Sequence, residues 1–368
     1  MEKKIKVGIT HGDINGIGYE VILKTFADER ITELCTPIVY GSFKIAMYHQ
    51  KSLNLPAISF KIIRTPAEAF DGKVNLINCV DGEVKVDFAK STSEAGKASF
   101  QALEKAVSDM KTGMVDALLT APINKHAIWS EAFRFPGHTE YLESHFGNGH
   151  NSGALMILVH DALRVALVTG HIPLSNVASR ITRQLITEKL HIFNTSLKQD
   201  FCIIGPRIAV LSLNPHAGDN GLLGTEESEC IAPAILDAEK QGVMAFGPYA
   251  SDGFFGAEMF RKFDGVLAMY HDQGLIPFKT LAMEDGVNYT AGLSVVRTSP
   301  AHGTAYDIAG QGFASEASFR QALYALLDIH RNRIMHKKMT ANPLQKHYVD
   351  RGGDNVKLDL TKDDELND

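Results

Sequence analysis

Three histidines each follow an apolar run that is typical of a buried strand. The runs at 165–171, 210–216 and 266–271 end at His171, His216 and His271. Ligands of open α/β sheets bind beyond the carboxyl ends of the strands, so three imidazoles delivered there could share one divalent cation. The spacing matches no established metal motif, and each histidine alone could equally be a structural residue or a simple substrate contact. The residues by themselves leave both interpretations open.

A second group of polar residues suits an anion. Residues 136–140, with His138 and Thr139 at their centre, open a helical pattern. Backbone amides at a helix start, together with a hydroxyl and an imidazole, bind anions, although an ordinary helix cap by Thr139 explains the same residues. Three further polar residues downstream could join this group: Lys279, Asn288 and Arg297. Isolated charged side chains are usually solvated, so their role depends on what lies near them.

Two segments are rich in glycine. The first glycine-rich segment, residues 10–18 (THGDINGIG), has the spacing G-x-x-x-G-x-G, which fits neither the Rossmann fingerprint nor a Walker A loop. The second glycine-rich segment, residues 302–312 (HGTAYDIAGQG), holds so many small residues that a cofactor could approach its backbone closely. Close packing of the chain on itself is the competing explanation for both.

The elements that must position these residues alternate along the chain. Short β-branched or apolar runs predict strands at 5–10, 37–41, 74–80, 117–120, 155–159, 165–169, 208–213 and 266–270. Helical patterns predict helices at 19–27, 43–51, 93–110, 179–197, 226–241 and 319–332. Strands that alternate with helices of this length indicate βαβ units, so we expect an α/β fold with a largely parallel sheet.

Composition excludes several functional classes. The chain has 368 residues, 45% of them hydrophobic and 22% charged, which is typical of a globular protein of two or three domains. A formal net charge of −6 disfavours general binding to nucleic acid or to an anionic membrane. The start of the chain lacks the apolar region of a secretory signal, and we predict a soluble cytoplasmic protein with no membrane span. Four widely spaced cysteines are predicted to be free thiols: Cys35, Cys79, Cys202 and Cys230.

Four motifs in order resemble the 4-hydroxythreonine-4-phosphate dehydrogenase family of vitamin B6 biosynthesis. They are GHTE at 137–140, NPHAG at 214–218, YHDQG at 270–274 and RTSxxHGT at 297–304. The resemblance runs from about residue 5 to about residue 332 and is specific for the family. It is less specific for the substrate, because close relatives oxidise four-carbon sugar-acid phosphates such as threonate or erythronate 4-phosphate.

The resemblance implies a fold like the isocitrate and isopropylmalate dehydrogenases, with two α/β domains and a cleft between them. We expect residues 1–125 plus 290–340 to form the cofactor-side domain and residues 126–289 the substrate, metal and dimerisation domain. The tail at 341–368, charged and weakly apolar, is expected to be poorly ordered. Members of the family are homodimers that share the active site across the interface.

The resemblance also assigns roles to single residues. The implied metal ligands, which need not come from one subunit, are His171, His216 and His271. The implied substrate contacts are His138, Thr139, Lys279, Asn288 and Arg297. The second glycine-rich segment resembles a stretch that the isocitrate dehydrogenases place against adenosine, which makes His302, Gly303 and Asp307 candidates for binding the cofactor.

The implied reaction is oxidation of 4-phosphohydroxy-L-threonine at C3 by NAD⁺ or NADP⁺ with one divalent metal (zinc, cobalt or magnesium). Loss of carbon dioxide from the keto acid would give 3-amino-2-oxopropyl phosphate for pyridoxal phosphate synthesis. Lys279 and Asp252 are candidates for taking the hydroxyl proton, and a structural role for Asp252 is the alternative. Rival functions are a sugar-acid phosphate dehydrogenase, a metal-dependent hydrolase or lyase, and a non-catalytic anion-binding module.

Three departures from the family pattern stand out. The stretch at 12–20 lacks the two prolines that family members more often have, which leaves any nicotinamide contact there in doubt. Pro277 lies one place later than the pattern predicts, and the tail after residue 332 is longer than usual.

Overall fold

A computed structural model describes residues 4–147 and 153–342. In these ranges the strands are β1 (Lys6–Thr10), β2 (Thr36–Gly41), β3 (Phe60–Ile63), β4 (Val74–Asn78), β5 (Ala117–Thr120), β6 (Leu155–His160), β7 (Leu163–Leu167), β8 (Arg207–Leu211), β9 (Met244–Tyr249), β10 (Gly265–Ala268), β11 (Val287–Ala291) and β12 (Val296–Pro300). The α-helices are α1 (Gly18–Phe26), α2 (Ile31–Leu34), α3 (Phe43–Ser52), α4 (Ser93–Lys111), α5 (Lys125–Ile128), α6 (His138–Phe146), α7 (Val177–Arg180), α8 (Arg183–Gln199), α9 (Ala232–Lys240), α10 (Ser251–Gly256), α11 (His271–Ala282) and α12 (Ala317–Thr340).

All the strands of the described ranges belong to one sheet, in the order β3-β4-β2-β1-β5-β12-β11-β6-β7-β10-β8-β9. The pairings are parallel except at the centre, where β11 runs antiparallel to β12 and β6, and β6 runs antiparallel to β7. The predicted α/β fold with a largely parallel sheet is therefore confirmed.

Helix α8 forms where an N-terminal side-chain cap and an apolar stripe coincide. In α8, Thr182 accepts a hydrogen bond from the Leu185 amide at the N-terminus. The buried side chains of Ile186, Leu190 and Phe193 then recur at helical spacing and pack into the main core. Helices α4 and α12 cover other parts of the sheet, against β1 and β2 and against β12 and β11 respectively. This framework fixes the strand ends at which the candidate residues lie.

The predicted elements are largely confirmed, with shifts at their ends. The helix predicted at 179–197 is instead interrupted at Ile181 and Thr182, whose extended backbone separates α7 from α8. The helix predicted at 226–241 begins as one π-helical turn, Glu227–Ile231, before α9. Four strands were not predicted: β3, β9, β11 and β12. The predicted disorder of 341–368 falls, apart from residues 341 and 342, outside the described residues. No helix in the described ranges is long and apolar enough to cross a membrane.

Candidate active site

The three histidines found in the sequence follow adjacent parallel strands. Strand β10 pairs with β7 on one side and β8 on the other, so their carboxyl ends lie side by side. His171 follows β7, His216 follows β8 and His271 begins α11 directly after β10. The topology that the sequence suggested for them is therefore present.

A cavity of about 250 Å³ opens at this edge of the sheet. It collects residues from α6, α11, β11 and β12, which are far apart in the sequence. Of the predicted site residues, nine line it: His138, Thr139, His171, His271, Lys279, Asn288, Arg297, His302 and Gly303. All five predicted substrate contacts are in that group.

Arg297 is the most unusual of the lining residues. Its side chain is only 3% exposed, yet none of the carboxylates in residues 4–147 and 153–342 forms an ion pair with it. The guanidinium donates hydrogen bonds to two neutral groups, the Oγ1 atoms of Thr120 (2.7 and 3.1 Å) and Thr290 (3.0 Å). Burial lowers the pKa of Arg297 to about 10, against a small opposing effect of Glu140. A buried cation without a counterion calls for an anion from outside the chain.

Three buried polar atoms that line the cavity also have no hydrogen-bond partner within the described chain. They are Nε2 of His138, Oδ1 of Asn288 and Nε2 of His302. Burial, with Arg297 and Lys125 adding to it, lowers the pKa of His138 well below its usual value, so its imidazole is neutral. Unsatisfied buried polar atoms are rare in native proteins, and their convergence on one cavity marks a ligand site.

His171 and His271 lie next to each other in the lining of the cavity, with their ring centroids 5.4 Å apart. Nδ1 of His271 lies 2.6 Å from Oδ1 of Asp272, which leaves Nε2 of the ring for a ligand. Burial lowers the pKa of His171, with smaller contributions from Lys125 and His271, and this favours the neutral imidazole that metals bind. Two of the three predicted metal ligands therefore lie next to each other at the cavity.

His216 does not join that pair within one chain. In the loop after β8, the Leu213 and Asn214 amides both donate to Oε1 of Glu227 at 2.8 Å. The turn Pro215–Gly221 follows, with a left-handed backbone from 216 to 220, and carries His216 to an exposed position. Across residues 4–147 and 153–342, no three histidine, cysteine, aspartate or glutamate side chains are grouped so that they could hold a metal ion.

Two other predicted residues also lie outside the cavity. Asp252 is exposed on α10, and Asp307 is exposed in the second glycine-rich segment. Of the two candidates for taking the hydroxyl proton, Lys279 lies at the cavity and Asp252 does not.

The two glycine-rich segments pack against each other. The Ile17 amide donates to the Thr304 carbonyl at 3.2 Å, and a Cβ atom at Gly16 would lie 2.8 Å from that same oxygen. Tyr306 of the second segment donates from its hydroxyl to Asp13 of the first at 2.7 Å. The absence of a side chain at Gly16 therefore serves this contact, and of the two segments only the second reaches the cavity lining, through His302 and Gly303.

Sequence reasoning did not assign a role to three other lining residues, Lys125, Glu140 and Ser299. Glu140 lies inside the GHTE motif that carries His138, and no role of its own was predicted for it. Ser299 lies inside the RTSxxHGT motif, on β12, which was not predicted as a strand. Lys125 begins the short helix α5, and nothing in its local sequence marks it.

Comparison with known proteins gives one consistent family. The family model "Pyridoxal phosphate biosynthetic protein PdxA" matches residues 33–326. A 4-hydroxythreonine-4-phosphate dehydrogenase from Bacteroides thetaiotaomicron is 60% identical over 364 residues, 99% of this chain and 99% of that protein. A D-threonate 4-phosphate dehydrogenase from Cupriavidus necator is 40% identical over 321 residues, 86% of this chain and 95% of that protein. The crystal structure of a 4-hydroxythreonine-4-phosphate dehydrogenase from Klebsiella pneumoniae superposes with a TM-score of 0.76 at 33% identity, covering 89% of this chain and 98% of that one.

Proposed function

Since the chain belongs to the PdxA family of pyridoxal phosphate biosynthetic proteins, we propose that it is a 4-hydroxythreonine-4-phosphate dehydrogenase. It oxidises 4-phosphohydroxy-L-threonine at C3 with NAD⁺ or NADP⁺, and the 3-keto acid then loses carbon dioxide to give 3-amino-2-oxopropyl phosphate. The observation that carries this proposal is the buried Arg297 without a counterion, at a cavity where the other implied substrate contacts also lie.

The charges around the cavity suit this substrate. Lys125 and Lys279 line the cavity with Arg297. The side-chain amino group of neither lysine makes a hydrogen bond or ion pair within the described chain. The phosphate of the substrate carries about −1.5 to −2 at pH 7 and accepts several strong hydrogen bonds. Arg297, Lys125 and the amides at the start of α6, beside His138 and Thr139, would bind the phosphate and the carboxylate.

The donor set also suits a divalent cation. His171 and His271 supply two imidazoles, and we propose that His216 of a second copy supplies the third, in a homodimer that shares its active sites. The exposed position of His216 and the exposed apolar side chain of Leu222 (78%) beside its turn support this assembly. Zinc, cobalt or magnesium bound there would act as a Lewis acid on the C3 oxygen.

The chain's own residues would orient the substrate and move its proton. Anchoring of the phosphate and the carboxylate holds C3 near the two histidines. We propose that Lys279, in its neutral amine form, takes the hydroxyl proton at Nζ, directly or through water, and becomes an ammonium group. We propose that His302, Gly303 and Asp307 would hold the nicotinamide nucleotide, which would supply the hydride acceptor when bound. Loss of carbon dioxide then needs only that the ketone accept the electron pair, while the cavity holds the phosphate in place.

Oxidation of D-threonate 4-phosphate is the second candidate function, because the relative from Cupriavidus necator carries that name. The two substrates differ at C2, which bears an ammonium group in one and a hydroxyl group in the other. A metal-dependent hydrolase or lyase would use the same histidines without reducing a nicotinamide.

The decisive experiment is a substrate panel. The purified protein is given each four-carbon phosphate with NAD⁺ or NADP⁺, with added zinc, cobalt or magnesium or with a chelator, and reduced nicotinamide is followed by absorbance. We expect turnover of the amino substrate that the chelator abolishes and metal restores. No reduced nicotinamide under any of these conditions would overturn the proposed function.

We further propose the division into a cofactor-side domain (1–125 plus 290–340) and a substrate domain (126–289), and a cytoplasmic location. The division is supported by the antiparallel β6 and β11, which separate the parallel strands on either side of the sheet.

A further inference from the structure

The hydroxyl group of Tyr306 connects three parts of the candidate site. Tyr306 belongs to the second glycine-rich segment, and its hydroxyl donates to Oδ2 of Asp13 in the first segment at 2.7 Å. The side-chain amide of Asn124 donates to the same hydroxyl at 3.0 Å. Asn124 is the N-cap residue of α5 and directly precedes Lys125, which lines the cavity. One side chain therefore joins both glycine-rich segments to the start of the helix that carries a cavity lysine.

The carboxylate that receives the hydrogen bond from Tyr306 is itself held in place. Asp13 is 1% exposed, and its Oδ1 accepts a hydrogen bond from the Asn15 amide at 2.8 Å. The Asp13 amide donates to the carbonyl of Pro122, a lining residue of the cavity, at 2.8 Å. Burial raises the pKa of Tyr306 and the Asp13 carboxylate raises it further, so the hydroxyl keeps its proton and remains the donor. A hydrogen bond to a carboxylate is stronger than one between neutral groups.

The side chain of Asn124 connects the position of Tyr306 to the first turn of α5. Its Oδ1 accepts hydrogen bonds from the amides of His126 and Ala127, both at 3.0 Å, while its Nδ2 donates to Tyr306. Because both ends of the side-chain amide are used, a movement of Tyr306 must move Asn124 or break a hydrogen bond. The backbone of Lys125 lies between Asn124 and the capped amides and would move with them.

Lys125 depends on that backbone for its place at the cavity. Its side-chain amino group makes no hydrogen bond or ion pair within the described chain. Its Cε lies 3.8 Å from the point that a Cβ of Gly137 would occupy, beside the start of α6. Burial lowers the pKa values of His138 and His171, and the charge of Lys125 lowers both further. The charge of Lys125 therefore reaches the part of the cavity where we propose that the phosphate binds.

We propose that Tyr306 is a positioning residue that couples nucleotide binding at the second glycine-rich segment to phosphate binding at Lys125. This inference rests on the proposed function and adds a link between its two binding events. A nucleotide bound on that segment would order the side chains of Tyr306 and Asn124, so less ordering of Lys125 would remain when the phosphate binds. By thermodynamic linkage, the phosphate must raise the affinity for the nucleotide by the same factor.

The test measures two ligands alone and together by calorimetry. ADP-ribose is the nucleotide probe, because it lacks the nicotinamide ring that would meet the substrate directly. O-phospho-L-homoserine is the phosphate probe; it has the carbon chain and ammonium group of the amino substrate but no C3 hydroxyl to oxidise. In the wild type, saturating ADP-ribose should lower the Kd of the phosphate probe roughly 5- to 20-fold, and the reverse titration should give the same factor. Tyr306→Phe removes only the hydroxyl and should bring that factor to about 1.

Tyr40→Phe is the matched control. Tyr40 is fully buried on β2, and its hydroxyl donates to Oδ2 of Asp109 at 2.9 Å, outside the cavity lining. Both substitutions remove a hydroxyl that donates to a carboxylate and should lower Tm, but only Tyr306→Phe should remove the coupling. Lys125→Met should weaken binding of the phosphate probe and remove the coupling, while ADP-ribose alone binds as in the wild type.

The inference and the proposed function fail on different results. Independent binding of the two probes to the wild type, no binding of ADP-ribose, or a wild-type coupling factor in Tyr306→Phe overturns the inference. Reduced nicotinamide in the substrate panel would leave the proposed function standing in each of these cases. Coupled probes without any reduced nicotinamide would overturn the proposed function and support the role of Tyr306.

Discussion

Replacing Arg297 by methionine should separate the stability of the fold from ligand binding. Burial lowers the pKa of this guanidinium from 12.5 to about 10, which corresponds to roughly 3 kcal/mol against the folded state. Because arginine is charged at neutral pH in both the folded and the unfolded chain, that cost is fully present at pH 7 and declines only as pH rises through about 10. Methionine removes the cost and keeps the length of the side chain.

The substitution also removes the hydrogen bonds to Thr120 and Thr290, at about 1 kcal/mol for each threonine that loses its donor. The two effects nearly cancel, so the free energy of unfolding should stay within about 2 kcal/mol of the wild type. The ligand loses its buried cation, and kcat/KM should fall roughly 30- to 5000-fold because such a loss costs about 2–5 kcal/mol. Urea unfolding, steady-state kinetics and the rise in Tm on adding O-phospho-L-homoserine measure the three quantities.

Arg333→Met is the matched control. Arg333 is also largely buried, but it forms an ion pair with the fully buried Asp200 at 2.7 Å and donates to the Tyr289 hydroxyl, away from the cavity. Its removal leaves a buried carboxylate unpaired and should cost about 3–5 kcal/mol of folding free energy. If Arg297→Met were destabilised as much as Arg333→Met and still gained Tm from the phosphate ligand, Arg297 would be a structural residue and the reasoning would be wrong.

Three further outcomes are expected. His216→Ala and His171→Ala should each be inactive with metal added, and mixing the two variants after dissociation should partly restore activity if each site draws on two chains; a mixture as inactive as its components contradicts the shared site. Burial lowers the pKa values of His11 and His49 to about 4, so the unfolded chain binds more protons below pH 6.5, and stability should fall by roughly 3 kcal/mol per histidine as pH drops from 6.5 to 4, measured by urea unfolding. Gly16→Ala should push the two glycine-rich segments apart and raise KM for the nicotinamide nucleotide several-fold with little change in Kd for the phosphate ligand; equal effects on both would contradict a cofactor-side role.

Strands and helices whose apolar residues recur at regular spacing could be predicted from the sequence. Elements in which that spacing is weak or interrupted could not. Strand β9 contains Gly247 and Pro248, which read as a turn in sequence but are tolerated at the edge of the sheet. Helix α11 was missed because Gly274 and Pro277 lie inside it. Strand β11 mixes polar and apolar residues in a way that only its central place in the sheet explains.

Some residues of the candidate site could likewise be predicted from the sequence, and others could not. Motif residues such as His138 and Arg297 were found because of their types and their order along the chain, and the sheet brings them to one cavity. The position of His216 depends on how Glu227 holds the preceding loop, a contact between side chain and backbone that no spacing reveals. Lys125 was missed because charge becomes informative only when its neighbours in space are known.

Helix α11 has a consequence for how this site could evolve or be redesigned. His271, Leu275 and Lys279 all line the cavity at intervals of four residues, so one helix carries both an imidazole and an amine, on residues whose Cα atoms lie about 12 Å apart along its axis. The separation of these two Cα atoms is set by the geometry of the helix and not by a loop. Any tilt or rotation of helix α11 displaces both residues at once. Moving the imidazole or the amine alone therefore requires a substitution and cannot be achieved by a movement of the helix backbone.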